Sequence, residues 1–263
     1  MKKGIIRVLA ISIVVSGAMK SSFASETFEK NAFDYAIDAN DLKKAQFQAA
    51  LITIQNYQDQ KSAEEVARFL PLLVTENIFN PHGKYPLLIG FMVQLCHEHP
   101  NKIPEWNRLI EQEKPTALQR ESWHNILLLS KTPEGEGLVN AQNSREPLTV
   151  AKVLQDRMNS VFPEGLILDV EQLTPTWLDY YWGIYLASGD RQYLLPFINV
   201  LTSHYGENTD AVDELPRLSQ NRALMIIRQS MNNDPKFKES FHLLLDELES
   251  ETKCIIEEIL KEQ

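Results

Sequence analysis

The chain has 263 residues, of which 43% are hydrophobic and 24% are charged, and its formal net charge at pH 7 is −10. With ten glycines and two cysteines over this length, the composition excludes collagen-like, disordered and disulfide-dense chains. It is typical of a globular protein, long enough for one large domain or two small ones.

Residues 1–24 have the pattern of a cleavable secretory signal peptide. Three basic side chains at the start precede an apolar run over residues 8–19, which is shorter than the about 20 residues of a membrane span. Small residues at Ser22 and Ala24 predict cleavage between Ala24 and Ser25. We therefore expect a periplasmic or secreted protein whose mature chain does not insert into the membrane.

Removal of this segment would make the chain more acidic. It takes away four basic side chains and no acidic one, which changes the formal net charge from −10 to −14. A surface of this charge repels phosphate backbones and anionic lipid headgroups, because both are bound largely through clustered Lys and Arg. The charge therefore disfavours nucleic acids and membrane surfaces as partners.

Helical periodicity recurs along the mature chain, residues 25–263, which we expect to form a single all-helical domain. The first clear segment, about 42–58, places five apolar side chains on one helix face. These are Phe47, Ala50, Leu51, Ile54 and Tyr57. The next helix is predicted to start at Ser62, because Ser62 and Glu65 have the spacing of a capping box.

Proline marks four further predicted helix starts, because its missing N–H would be unpaired in the first turn in any case. They are Lys114-Pro115, Thr132-Pro133, Thr174-Pro175 and Asp234-Pro235. Residues 86–96 are apolar on nearly every side, which predicts an interior helix. The only extended piece that we expect, residues 165–170, lies in a linker over 161–174 at which the domain could subdivide.

Together these signals predict an all-α fold of about eleven helices. Two stretches, Gly189-Asp190 and Asn233-Asp234, are each followed by aromatic residues at the same spacing. Both resemble the helical pairs of tetratricopeptide-type repeats, which stack to bury a shared core. The other turns are irregularly spaced, so we expect an irregular α-solenoid of stacked helical pairs.

Residues 178–190, LDYYWGIYLASGD, carry a further resemblance. They are similar to a signature, roughly LDxxWGxFxA[ST]GD, of a group of exported bacterial helical proteins whose function is uncharacterised. The resemblance covers about a twentieth of the chain. It implies an all-helical fold and no particular activity.

The two cysteines, Cys96 and Cys254, are the only possible disulfide pair in an oxidising compartment. Their apolar helical settings favour two buried free thiols over a bridge. Both interpretations stay open at this point.

The segment Cys96-His97-Glu98-His99 contains a Cys and a His at the i, i+3 spacing that zinc can use on a helix. A tetrahedral zinc site needs three or four ligands, and no second CxxC, HxxxH or HExxH motif supplies the others. A helix end before Pro100 explains the same residues, because His is favoured there. We therefore predict no metal and no cofactor.

Glu121-Ser122, followed by residues 135–138 (GEGL), is similar to the ES and Gly-Leu-Met-Gln motifs of soluble lytic transglycosylases. The resemblance implies that Glu121 is a general acid acting on cell-wall glycan. Residues 123–129 are bulky and apolar where that family has a glycine-bearing turn, and they suit a core helix instead. GxSxG, P-loop and GxGxxG motifs are missing, so no catalytic residue is predicted.

A helix rich in aromatic residues begins near Pro175. Its Trp and Tyr side chains are either packed in the core or line a groove for a peptide or partner helix. The candidate binding residues are Trp177, Tyr181, Trp182 and Tyr185.

The C-terminal region has an apolar stripe from Phe241 to Ile259 and an acidic opposite face. It is expected to cap the end of a solenoid or to bind a partner. From fold and compartment we expect a scaffold that binds protein or peptide partners in the bacterial cell envelope. A cell-wall glycan enzyme that uses Glu121 and a secreted host-directed factor are the alternatives.

Overall fold

The computed structural model describes residues 41–80, 85–142, 169–203, 205 and 214–261. Within these ranges the chain forms thirteen α-helices, three short 3₁₀ helices and no strand. The α-helices are α1 (Asp41–Gln55), α2 (Tyr57–Gln60), α3 (Ala63–Ala67), α4 (Leu70–Thr75), α5 (Pro86–Glu98), α6 (Ile103–Gln112), α7 (Ala117–Leu129), α8 (Pro133–Gln142), α9 (Pro175–Ser188), α10 (Leu195–Thr202), α11 (Glu214–Asn233), α12 (Pro235–Glu247) and α13 (Ser250–Lys261). The 3₁₀ helices are Pro100–Lys102, Val170–Gln172 and Arg191–Leu194. The predicted all-α class is confirmed.

The predicted count of about eleven helices is too low, because two predicted segments break. The expected helix over 42–58 ends at Gln55, and α2 follows it after Asn56. All five apolar side chains predicted to share a face there are nevertheless buried. The C-terminal stripe likewise divides into α12 and α13, because Leu248 is extended, with φ −84° and ψ 164°.

Local capping explains most of the helix starts. Ser62 accepts a hydrogen bond from the Glu65 N–H at 3.3 Å, as the capping-box spacing predicts. Three of the four proline starts, α8, α9 and α12, begin at the predicted proline. In each, the side chain before the proline accepts from an N–H of the first turn.

The fourth proline start is wrong by two residues. Helix α7 begins at Ala117, because Thr116 forms a reciprocal capping box with Gln119. The Gln119 side chain accepts from the Thr116 N–H at 2.8 Å, and the Thr116 hydroxyl accepts from the Gln119 N–H at 3.4 Å. Pro115 therefore lies just before the cap.

The core is built around α5 and α9, which make the most extensive helix–helix contact among the described residues. Helix α5 is buried on nearly every side, as predicted. The two backbones touch at Gly90 and Gly183. A methyl group at Gly90 would overlap the carbonyl oxygen of Tyr180, and one at Gly183 would overlap that of Leu87. Only glycine allows helices to approach this closely.

The two predicted helix–turn–helix stretches are present, and an aspartate caps the helix that follows each turn. Gly189 ends α9 in the left-handed conformation with φ 73°, which glycine adopts without strain. Asp190 then caps the 3₁₀ helix before α10 by accepting from the Gln192 N–H at 3.0 Å. Asp234 does the same between α11 and α12, where it accepts from the Lys236 N–H at 2.9 Å.

The described helices belong to one compact unit that spans 37–263. Helices α5 and α9, which lie on either side of the linker 161–174, pack against each other within it. Residues 1–24, predicted as the signal peptide, and residues 161–168 of the linker lie outside the described residues. Across the described ranges, no helix combines the length and apolar character that crossing a bilayer demands.

Candidate functional site

Three of the four aromatic residues proposed for binding are part of the core. Tyr181, Trp182 and Tyr185 are buried, and only Trp177 is half-buried. The ring of Phe237 from α12 packs edge-on against Trp182 and Tyr185, with centroids 5.4 and 5.7 Å apart. The proposed aromatic groove is therefore corrected to an interior helix, which was the other interpretation of this pattern.

A largely buried ion pair joins α9 to α11. Oδ1 of Asp179 accepts from Nε of Arg222 at 2.6 Å and lies 2.6 Å from Nη2, and the two side chains are 19% and 18% exposed. Burial raises the pKa of the Asp179 carboxyl, and the Arg222 guanidinium opposes that shift. The pair fixes the relative position of the two helices at the edge of the core.

Apolar side chains continue from this pair along one side of α11. Leu215 and Leu218, which are 46% and 47% exposed, precede Arg222 at helical spacing. Met225 follows one turn later, is half-buried, and lies 4.0 Å from Nη1 of Arg222. We call Leu215, Leu218, Arg222 and Met225 the α11 strip. Sequence reasoning missed it, although the i, i+3 leucines after residue 214 are a visible signal.

The Cys and His residues at the end of α5 do not converge on one point. The Cys96 side chain is fully buried, and burial raises the pKa of its thiol. His97 donates from Nδ1 to the Ser130 carbonyl at 3.0 Å, whereas Nε2 of His99 pairs with the Tyr57 hydroxyl at 3.1 Å. Among the described residues, no group of three or more His, Cys, Asp or Glu side chains is placed to hold a metal ion.

The two cysteines are free and lie in different surroundings. Cys96 is buried in α5, and Cys254 is exposed on α13. The expectation of a buried setting for Cys254 is therefore wrong, because the buried residue of α13 is Ile256 and Cys254 lies on the far side of the helix.

Glu121 lies on α7 among groups that form structural pairs. Its neighbour Arg120 donates from Nε and Nη2 to the two carboxylate oxygens of Glu111, at 2.7 and 2.9 Å. These bonds lower the pKa of the Glu111 carboxyl. Residues 135–138, which resemble the Gly-Leu-Met-Gln motif of lytic transglycosylases, are helical within α8.

Beyond Glu121, α7 enters the core as its apolar residues predict. Trp123, Ile126, Leu127 and Leu129 are all buried. His124 is also buried, at 3% exposed, and it donates from Nε2 to Oε1 of Gln142 on α8 at 2.7 Å. Sequence reasoning missed His124, and a polar residue within the apolar run 123–129 was the available signal.

No protein-family model matches this chain, and no curated protein or solved structure matches it either.

Proposed function

We propose that the protein is an exported helical scaffold that binds protein or peptide partners in the bacterial cell envelope. The all-α architecture and the acidic composition support this proposal, and Glu111 and His99 take part in contacts within the fold. The stacking of its helical pairs into an irregular solenoid is part of the same proposal. Fold alone supports function weakly, so the α11 strip is the observation that carries it.

The α11 strip has the composition of a binding surface. Isolated exposed leucines are common on protein surfaces, but Leu215 and Leu218 are adjacent on one helix and continue into Arg222 and Met225. Arg and Met are enriched at the centres of protein interfaces, and two neighbouring leucines can anchor the apolar face of a partner helix or peptide. Because Asp179 already holds Arg222, the guanidinium of the strip is positioned before a partner arrives.

Photo-crosslinking in intact cells tests this surface. A photoreactive residue at position 218 is compared with one at position 243, because Leu218 and Leu243 have nearly equal exposure, 47% and 49%, and Leu243 lies on α12 outside the strip. We expect a discrete envelope-protein adduct from position 218 and little from position 243. Equal labelling at both positions, or none at position 218, would contradict the proposal.

A double variant of the two exposed leucines separates binding from folding. Leu215→Ser with Leu218→Ser should lower the yield of that adduct about tenfold, measured with the photoreactive residue at position 225. The free energy of unfolding should change by about 0.5 kcal/mol or less per site.

Fractionation of the same cells addresses the alternatives. Recovery of the protein mainly from the medium would favour the secreted factor, and release of muropeptides that Glu121→Gln abolishes would favour the enzyme.

A further inference from the structure

Helix α8 is held to the rest of the protein by few buried groups. Over its ten residues, only Gly135 and Val139 are buried. It packs on α6, α7 and the 3₁₀ helix Pro100–Lys102. An element with so little buried surface opens locally at a lower free energy than the core does.

The last residue of α8, Gln142, covers a buried histidine. His124 on α7 donates from Nε2 to Oε1 of Gln142, so the imidazole lies beneath the end of the helix. Protonation of His124 would leave this hydrogen bond in place, because Nε2 still carries its proton. It would also put a positive charge into a site from which water is excluded.

The charged groups around His124 do not offset that cost. The hydrogen bond to the neutral Gln142 of α8 favours the protonated imidazole, as do Glu111 of α6 and Glu121 of α7, and Arg120 of α7 opposes it. Glu111 is already engaged by two guanidinium nitrogens of Arg120. Burial therefore dominates, and it lowers the pKa of His124 below its ordinary value.

We infer that α8 and His124 form an acid-sensitive latch, in which protonation of His124 releases α8 from the surface of α6 and α7. When α8 opens, water reaches the imidazole of His124. The open state is therefore the only state of the latch in which the positive charge is readily solvated. The latch does not depend on the partner-binding function, since none of its residues belongs to the α11 strip.

The expected pH range follows from the lowered pKa. The open state binds a proton with the ordinary histidine pKa of about 6.5, whereas the closed state binds it only at lower pH. At pH values between the His124 pKa of the closed state and that of the open state, the open state binds one more proton than the closed state. The population of the open state therefore rises about tenfold for each pH unit of acidification. Above about pH 6.5 both states are neutral at His124, and opening no longer depends on this group.

Hydrogen exchange of the full chain measures this directly. Between pH 7.5 and about pH 6.5, we expect the protection factors of amides in residues 136–142 to stay constant, and from about pH 6.5 down to pH 5 we expect them to fall with the slope given above. Those in α9 should stay constant. His124→Gln should abolish the dependence, because glutamine donates a hydrogen bond but does not titrate. The matched control, His242→Gln, replaces an exposed histidine on α12 and should preserve it.

Several outcomes would overturn the latch. These are pH-independent protection of α8 in the unmodified chain, the same slope in His124→Gln, or an equal loss of protection in α9. If His124→Gln does not fold, the NMR titration of His124 in the unmodified chain decides. A pKa at or above the ordinary histidine value would refute the latch, and a lower one with coincident loss of α8 protection would support it.

Discussion

Replacement of Gly183 by alanine tests the closest contact in the core. The added methyl would overlap the Leu87 carbonyl oxygen and lie 2.7 Å from the Phe91 backbone nitrogen. At Gly90 the obstacle is the Tyr180 carbonyl group, whose carbon would lie 2.9 Å away. Both obstacles are backbone atoms, so no side-chain rotation relieves the overlap.

Two opposing effects set the magnitude. Alanine in a helix interior is favoured over glycine by about 1 kcal/mol. To restore an ordinary contact of 3.4–4 Å, however, α5 and α9 must separate by more than an ångström. Such separation loosens the packed residues on both helices, and overpacking of a core costs about 1–3 kcal/mol even where side chains can move. We expect a net loss of about 2 kcal/mol or more, which lowers the Tm of a chain this size by roughly 4–8 °C.

Gly137 provides the matched control. It also lies within a helix, α8, but a methyl group there would meet no atom within 4 Å. Gly137→Ala should therefore stabilise the protein by about 0.5–1 kcal/mol through helix propensity alone. Thermal and urea unfolding, followed by far-UV circular dichroism, would rank the variants in one assay.

The double variant Gly90→Ala with Gly183→Ala sharpens the test. Once the first methyl has separated the helices, the second has room, so the combined loss should be smaller than the sum of the two single losses. A Gly183→Ala protein that melts at or above the temperature of the unmodified chain would refute backbone contact between α5 and α9.

Three further results are expected. Arg222→Met leaves Asp179 unpaired and should lower the free energy of unfolding by about 2 kcal/mol at neutral pH, less than for a fully buried pair because both side chains are about a fifth exposed. The loss should shrink in acid, where Asp179 becomes protonated. Adding Asp179→Asn to this variant should recover part of the loss, as measured by urea unfolding. A thiol reagent should label Cys254 rapidly in the folded protein, because Cys254 is exposed and Cys96 is buried. After unfolding without reductant it should label both cysteines, and fewer than two labelled thiols would mean a disulfide. Deletion of 250–263 removes the buried Ile256 and should lower the Tm by several degrees, and an unchanged Tm would refute a capping role for α13.

Local signals in the sequence were sufficient for most helix boundaries. Thr132, Thr174 and Asp234 cap the helices that they were expected to cap, because each cap needs only an oxygen and an N–H two or three residues away. The predicted helix start at Pro115 was wrong for an equally local reason. Thr116 and Gln119 form a capping box that starts the helix at Ala117, and this spacing was overlooked.

The candidate site was harder to predict from the sequence. Aromatic residues at helical spacing suit a core and a groove equally well, and the neighbours that bury Trp182 and Tyr185 come from α12, about fifty residues away. The α11 strip depends in the same way on Asp179 of another helix. Cys254 was misplaced because an apolar setting in sequence does not tell which side of a helix meets the core.

The amino-acid sequence by itself determined the helical class, the acidic charge, the apolar face of α1 and the interior character of α5, because these properties depend on composition and on spacing over a few residues. Tertiary structure alone decided which helices meet. Gly90 and Gly183 stand in two apolar helices ninety-three positions apart, and the sequence contains no signal that they face each other. His124 lies beneath α8 for the same reason. Helix formation is local, whereas the choice of packing partner is set by shapes that exist only after the chain has folded.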